Sequence, residues 1–349
     1  MKKIVATIVM GALLFTGVCG YAWWISSTDE LYDPGKWNLS GVILISTQLR
    51  GDNRRILLGI DLATGEMLVH DRDAYPILGD GEYPGLVAEE RDGVAYIYST
   101  DGREMWDLLF EYPVPSGKTD RQGNPHAVYA YMGECLYYYQ MEEDALYIVR
   151  DDMQGNTYRY EYLSRESDTN TDGYGYVCLS SDGKMVQAGD AHDRLCIQYP
   201  DGTVEEVLSS AFYSDGGPYT VRAYGWATDE VLLVRVWSAD AAAEGRDGFF
   251  WYHAESGETK EFQASPSVVD AIRSTVSGGS ILWGRLTFGS DGKTLLCTKN
   301  TDDWQYGPIL LDTDTGRCAA ITELYQSVRI PGVDCEANFC GMADVIWIP

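Results

Sequence analysis

Basic residues are scarce in this chain. Its 349 residues hold 26 Lys and Arg against 53 Asp and Glu, a net charge of −27. A polyanion of that size repels phosphate backbones and anionic headgroups, which excludes nucleic-acid binding. Cations, cationic peptides and neutral glycans remain chemically compatible partners. Histidine is rarer still: the four present (His70, His126, His192, His253) are scattered, with no H-E-x-x-H pair to hold zinc. No serine stands in a G-x-S-x-G elbow, and no S-x-D-x-G-x-T-W box occurs. Nucleophilic hydrolysis therefore has no motif to rest on.

The eight cysteines show no zinc spacing. Cys19 falls in an apolar N-terminal segment. The other seven (Cys135, Cys178, Cys196, Cys297, Cys318, Cys335, Cys340) are odd in number and irregularly spaced, which argues against a disulfide framework. Cys178, Cys196 and Cys297 sit inside apolar strand-like runs, where a thiol acts as a small hydrophobe. Only Cys335 and Cys340 are close enough in sequence to suggest a local bridge.

Long helical periodicity is also missing. Residues 265–277 could form one short helix, with Ser265 as N-cap and Pro266 at the first helical position. The N-terminus is the other exception. After Lys2 and Lys3, residues 4–25 carry no charge and end in Tyr21, Ala22, Trp23 and Trp24, long enough for a bilayer-spanning helix with an aromatic belt. The positive-inside rule leaves the lysines in the cytoplasm and sends everything after residue 25 outside it. The segment predicts an uncleaved signal-anchor; alternatives are a signal peptide cut near Trp23 or a lipoprotein acylated at Cys19. Residues 26–39 would then be a linker and 40–349 the soluble domain, on the outer side of the cell membrane.

From residue 40 onward the chain alternates short runs rich in Val, Ile, Leu, Tyr and Trp with polar turns, the pattern of an all-β protein. The turns are of two kinds. Asp-Gly turns occur at Asp101-Gly102, Asp182-Gly183, Asp201-Gly202 and Asp291-Gly292; Thr/Ser-Gly turns occur at Thr64-Gly65, Ser256-Gly257 and Thr315-Gly316. Together they divide the chain into units of roughly 40 residues, the spacing of four-stranded propeller blades. The units run over residues 40–77, 85–112, 126–164, 174–209, 219–263 and 280–324. The first holds three strands, and the C-terminal run 343–348 is placed to supply a fourth and close the ring. This predicts a β-propeller of six blades. Seven is the alternative if residues 331–341 form a degenerate blade, and a tandem of β-sandwiches is the alternative architecture.

The segments Ser181-Asp182-Gly183-Lys184 and Ser290-Asp291-Gly292-Lys293 resemble the Ser-Pro-Asp-Gly-Lys signature of TolB-like, WD-type propeller repeats, without its proline. Pro200-Asp201-Gly202 has the proline but lacks the serine and lysine. The resemblance implies a six- or seven-bladed ring with a binding or scaffolding role, and it carries no catalytic residues.

One stretch has metal-ligand spacing. Asp168-Thr169-Asn170-Thr171-Asp172-Gly173 matches the first half of a calcium loop, with Asp168, Asn170 and Asp172 offering oxygens around a hard cation. The twelfth position is Leu179 rather than Glu, and the flanks read as strands, so a solvated turn is the competing reading. Tyrosine clusters at residues 129–131, 137–139 and 158–162 read first as strand packing, and second as a surface on which sugars or peptides could stack. Three functions are compatible with these features. The first is a non-enzymatic binding or scaffolding propeller at the membrane, with a protein or glycan ligand. The second is a glycan-processing enzyme with carboxylates around its central opening. The third is a calcium-dependent adhesion module.

Overall fold

The computed structural model describes residues 30–49, 55–80, 82–114, 128–141, 145–164, 178–180, 182–188, 194–209, 219–238, 248–262, 287–289, 291–300, 306–315, 317–321, 328–330, 332, 334, 336–338 and 345–349. The described strands fall into six antiparallel sheets that follow one another along the chain. This is a six-bladed β-propeller. Blade 2 consists of Ala74–Ile77, Leu86–Arg91, Val94–Thr100 and Trp106–Pro113. Blades 3, 4 and 5 begin at Val128–Met132, Cys178–Leu179 and Tyr219–Trp226 and end at Thr157–Ser164, Val204–Ser209 and Thr259–Glu261. Blade 6 runs from Thr287–Phe288 to Cys318–Ala320.

Blade 1 is built from both ends of the chain. Val42–Leu49, Arg55–Asp61 and Met67–His70 form its outer three strands. Val345–Ile348 pairs antiparallel with Val42 to Ile45, and Glu336–Asn338 continues that line by pairing with Gln48 and Leu49. Val328–Arg329 forms a hairpin with Glu336–Asn338, so the stretch considered for a seventh blade extends blade 1. Ala74–Ile77, which the spacing of turns assigns to the first unit, is the first strand of blade 2 and pairs with Leu86–Arg91.

Burial follows position within each sheet. The first strands Ala74–Ile77, Cys178–Leu179 and Val345–Ile348 are buried throughout. The fourth strands Trp106–Pro113 and Thr259–Glu261 are largely exposed. That gradient places the first strands inside the ring and the last at its rim. Apolar clusters join neighbouring blades: Val42, Leu44 and Ile346 with Val87 between blades 1 and 2; Leu86 and Ile97 with Leu136 between 2 and 3; Val186 and Ile197 with Val221 and Trp226 between 4 and 5; Phe249 with Leu311 between 5 and 6; and Leu310 with Ile43 and Trp347 between 6 and 1. Inner strands also bond directly, since Leu78 N donates to Tyr129 O and Tyr131 N to Leu78 O.

The fourth strand of blade 6 departs from the gradient, and its cover is the N-terminal segment. Glu30–Leu31 adds to Cys318–Ala320 as a parallel fifth strand. A helical turn, Pro34–Trp37, follows, capped by Asp33 and ended by Asn38 in the left-handed region. Tyr32 Oη donates to Leu62 O of blade 1 at 2.6 Å, Arg317 pairs with Glu30 at 2.9 Å, and the Arg317 guanidinium lies 4.8 Å from the Trp37 ring. Residues 30–39, expected as a linker, form a strap across the seam between blades 6 and 1.

Among the described residues, Cys135 and Cys178 are free thiols, both buried. Cys178 is fully buried, and burial pushes its thiol up to about 12. It is expected to resist alkylation in the folded protein and to react only after denaturation; modification of native protein at Cys178, read by mass spectrometry, would contradict the packing of blade 4.

Candidate functional site

A meander of antiparallel strands places its connections on two alternating faces. In every blade the turn after the first strand and the turn after the third share one face, and the remaining connections share the other. All seven Asp-Gly and Thr/Ser-Gly turns fall on the first of these, the turn face. In several of them the aspartate carboxylate accepts from the turn's own backbone. Asp61 Oδ1 accepts from the N–H groups of Ala63 and Thr64, Asp312 Oδ1 from Asp314 and Thr315, and Asp291 Oδ1 from Lys293 and Thr294, at 2.9–3.1 Å. These carboxylates hold turns, which accounts for part of the acidic excess without a ligand. In the repeat-like turn of blade 4, Lys184 N donates to Ser180 Oγ at 2.8 Å, and Lys184 Nζ reaches Asp229 O of blade 5 at 2.8 Å. The motif is a blade-to-blade clasp.

The innermost strands are poor in chemistry. Their sequences, from AYPI and VYAYM to YTVRAYGW and VIWI, contain a single carboxylate, Glu336. Opposed acids of the kind a glycosidase needs are absent from the innermost strands among the described residues. No group of three or more His, Cys, Asp or Glu able to hold a metal occurs among the described residues either. Asp168, Asn170 and Asp172 fall in residues 165–177, outside the described residues, as do the helix expected at 265–277 and the Cys335–Cys340 pair. Of the tyrosine clusters, Tyr137 and Tyr138 are buried in the core, and Tyr158 is exposed.

Among the described residues, a charged cluster that no motif marks lies on the second strand of blade 2, Glu89 facing the connection from blade 1 and Glu90 facing blade 3. Glu89, on the second strand of blade 2, has a side chain only 3% exposed and is ion-paired with Arg72 at 3.3 Å and with Arg91. Arg72 comes from the connection between blades 1 and 2, and its guanidinium lies 4.6 Å from the Trp106 ring and 5.5 Å from Tyr98. Arg91 lies 5.4 Å from the Tyr96 ring. The next residue, Glu90, accepts from Tyr75 Oη at 2.5 Å and from the Val128 N–H of blade 3 at 3.4 Å. Glu89-Glu90-Arg91 directly continues the apolar run Leu86-Val87-Ala88, and a charged triplet inside a strand is the signal that could have marked it. With its carboxylates engaged by Arg72 from the connection, by Arg91 and Tyr75 of blade 2 and by Val128 of blade 3, this cluster ties blade 2 to its neighbours.

His70 closes the outer side of the same seam. Its Nε2 donates to Gly102 O at 3.1 Å, and its ring lies 5.4 Å from Trp106. Burial, with Arg72 nearby, holds its pKa below the usual 6.5 despite the Gly102 carbonyl. A histidine held neutral in the folded state contributes stability that is full above the unfolded value and is lost as pH falls from about 6.5 through the folded value. His70→Gln is therefore expected to flatten the fall in melting temperature between pH 7 and 5; an unchanged slope would remove His70 as the cause.

No family model and no curated protein matches the chain. Among solved structures, TolB from Acinetobacter baumannii is similar with a TM-score of 0.47 and 8% identity, over 88% of this chain and 67% of that one. A putative TolB from Agrobacterium tumefaciens gives 0.40 and 11%, over 88% and 99%. A puromycin-hydrolyzing peptidase from Mycobacterium tuberculosis gives 0.41 and 12% over 84% of this chain, which spans only 56% of the peptidase. The structures it is similar to thus include TolB proteins and other propellers.

Proposed function

We propose that this chain is a binding or scaffolding propeller, tethered by residues 1–25 to the outer face of the cell membrane, with a protein or glycan ligand and no catalysis of its own. The observation that supports the binding reading is the inertness of the ring interior. Among the described residues the innermost strands carry one carboxylate, the buried Glu89 is ion-paired with Arg72 and Arg91, and the half-buried Glu90 accepts from Tyr75 and from Val128 of blade 3. The tether rests on the uncharged run 4–25; among the described residues no helix is long and apolar enough to cross a membrane.

The test is protease treatment of intact cells making the full chain, followed by crosslinking at the cell surface. External protease is expected to remove the propeller, and crosslinking to link it to a surface protein or glycan. Protection from protease would refute the location, and measured turnover of a glycan or peptide would refute the binding reading. Melting the same protein with calcium and then with chelator addresses Asp168, Asn170 and Asp172: a rise with calcium would turn the reading toward an adhesion module.

A further inference from the structure

We infer that the strap at residues 30–39 fixes how the propeller sits on the membrane, with the turn face at the seam of blades 6 and 1 against the lipid surface and the opposite face turned away. The inference rests on the tether proposed above and adds the surface that meets the bilayer. The argument begins with length. Ile25 is the last apolar residue of the N-terminal segment, and Glu30 is already paired with Ala319 in blade 6. Five residues span at most ~17 Å even when fully extended, so the point where Glu30 docks cannot lie farther than that from the interface.

Topology supplies the direction. Glu30–Leu31 runs parallel to Cys318–Ala320, so Glu30 enters beside the start of that strand, the end that carries the turn before it. Pro34 packs beside Gly65, in the third turn of blade 1. Both contacts belong to the turn face. The entry point is also held firmly: Glu30 is bonded by Lys36 at 2.6 Å and by Arg317 at 2.9 Å, and Tyr32 N donates to Ala320 O at 2.8 Å.

Charge agrees with the placement. The protein as a whole would be repelled by anionic lipid, yet at this corner two carboxylates are partnered: Glu30 by Lys36 and Arg317, and Asp314 by Lys293 at 3.6 Å. Pairing lowers the cost of bringing these two carboxylates near headgroups.

The experiment uses the full chain in phosphatidylcholine vesicles containing a lipid-linked acceptor dye. A donor fluorophore is introduced through a non-natural amino acid in place of Ala63, on the turn face of blade 1, or of Asp73, on the opposite face of the same blade; both are exposed. The four-residue strand Met67–His70 with its flanking residues separates the two positions by roughly 20 Å, and energy transfer from position 63 is expected to exceed that from position 73 by about twofold. Inserting about twenty Gly and Ser residues between Ser27 and Thr28 is expected to erase the difference while the protein still floats with the vesicles. Equal transfer from the two positions, or stronger transfer from 73, overturns the orientation and leaves the tether intact. A full chain that does not float with vesicles overturns the tether, and the orientation with it.

Discussion

Truncating Trp347 to alanine is expected to lower the unfolding free energy by about 3–5 kcal/mol, the usual range for emptying a large buried aromatic site. Trp347 sits on the closing strand at 3% exposure, and its Nε1 donates to Ser40 O at 3.1 Å. Its ring lies where blade 6 meets blade 1. A Cβ added to Gly289 would stand 2.2 Å from Trp347 Cη2, and one added to Gly41, whose φ is +98°, would stand 2.2 Å from Ile348 O. Gly289→Ala and Gly41→Ala are accordingly expected to destabilise in the same direction, because each displaces the strand that joins the chain ends. Urea unfolding checks this against Val204→Ala at the rim, where 55% exposure predicts a change within about 0.5 kcal/mol. If Trp347→Ala unfolds like the rim variant, ring closure does not depend on this strand.

The second large effect is an asymmetry at Glu89. Removing both arginines (Arg72→Ala with Arg91→Ala) leaves a carboxylate without its two cations in a site that water barely reaches, and is expected to cost about 3–5 kcal/mol. Glu89→Gln is expected to cost clearly less, because the two guanidiniums left behind are 42% and 61% exposed and can be hydrated in place. The three unfolding free energies, measured side by side, decide the matter. A Glu89→Gln loss equal to that of the double variant would mean the carboxylate is not the costly partner, and the assignment of the cluster as an internal fastener would fail.

Both results concern residues whose importance differs in how far the sequence reveals it. The strand-turn rhythm, the six-fold repetition and the Asp-Gly and Thr/Ser-Gly turns are local signals, set by alternating side chains and by backbone that favours positive φ, and they could be read along the chain. The run at 345–348 is legible for the same reason: an alternating apolar segment at one end meets a unit short of a strand at the other. The assignment of Ala74–Ile77 was not legible, since Arg72 and Asp73 make an unremarkable connection and only packing against Leu86–Arg91 decides which blade the strand joins.

The candidate site divides along the same line. Aspartates in turns announce themselves by spacing, although carboxylates such as those of Asp291 and Asp312 are engaged by their own backbone. Glu89 looks in sequence like a surface charge, and its burial follows from the convergence of Arg72, Trp106 and Tyr98 around it. The strap is the extreme case, because Glu30 and Arg317, 287 residues apart, meet only once the ring has closed. The sequence by itself determined the all-β character, the turn chemistry and the number of repeats, since each arises from neighbours within a few residues. Tertiary structure alone decided which charges are buried, which strand belongs to which blade and where the N-terminal segment docks, because those depend on contacts that no local pattern encodes.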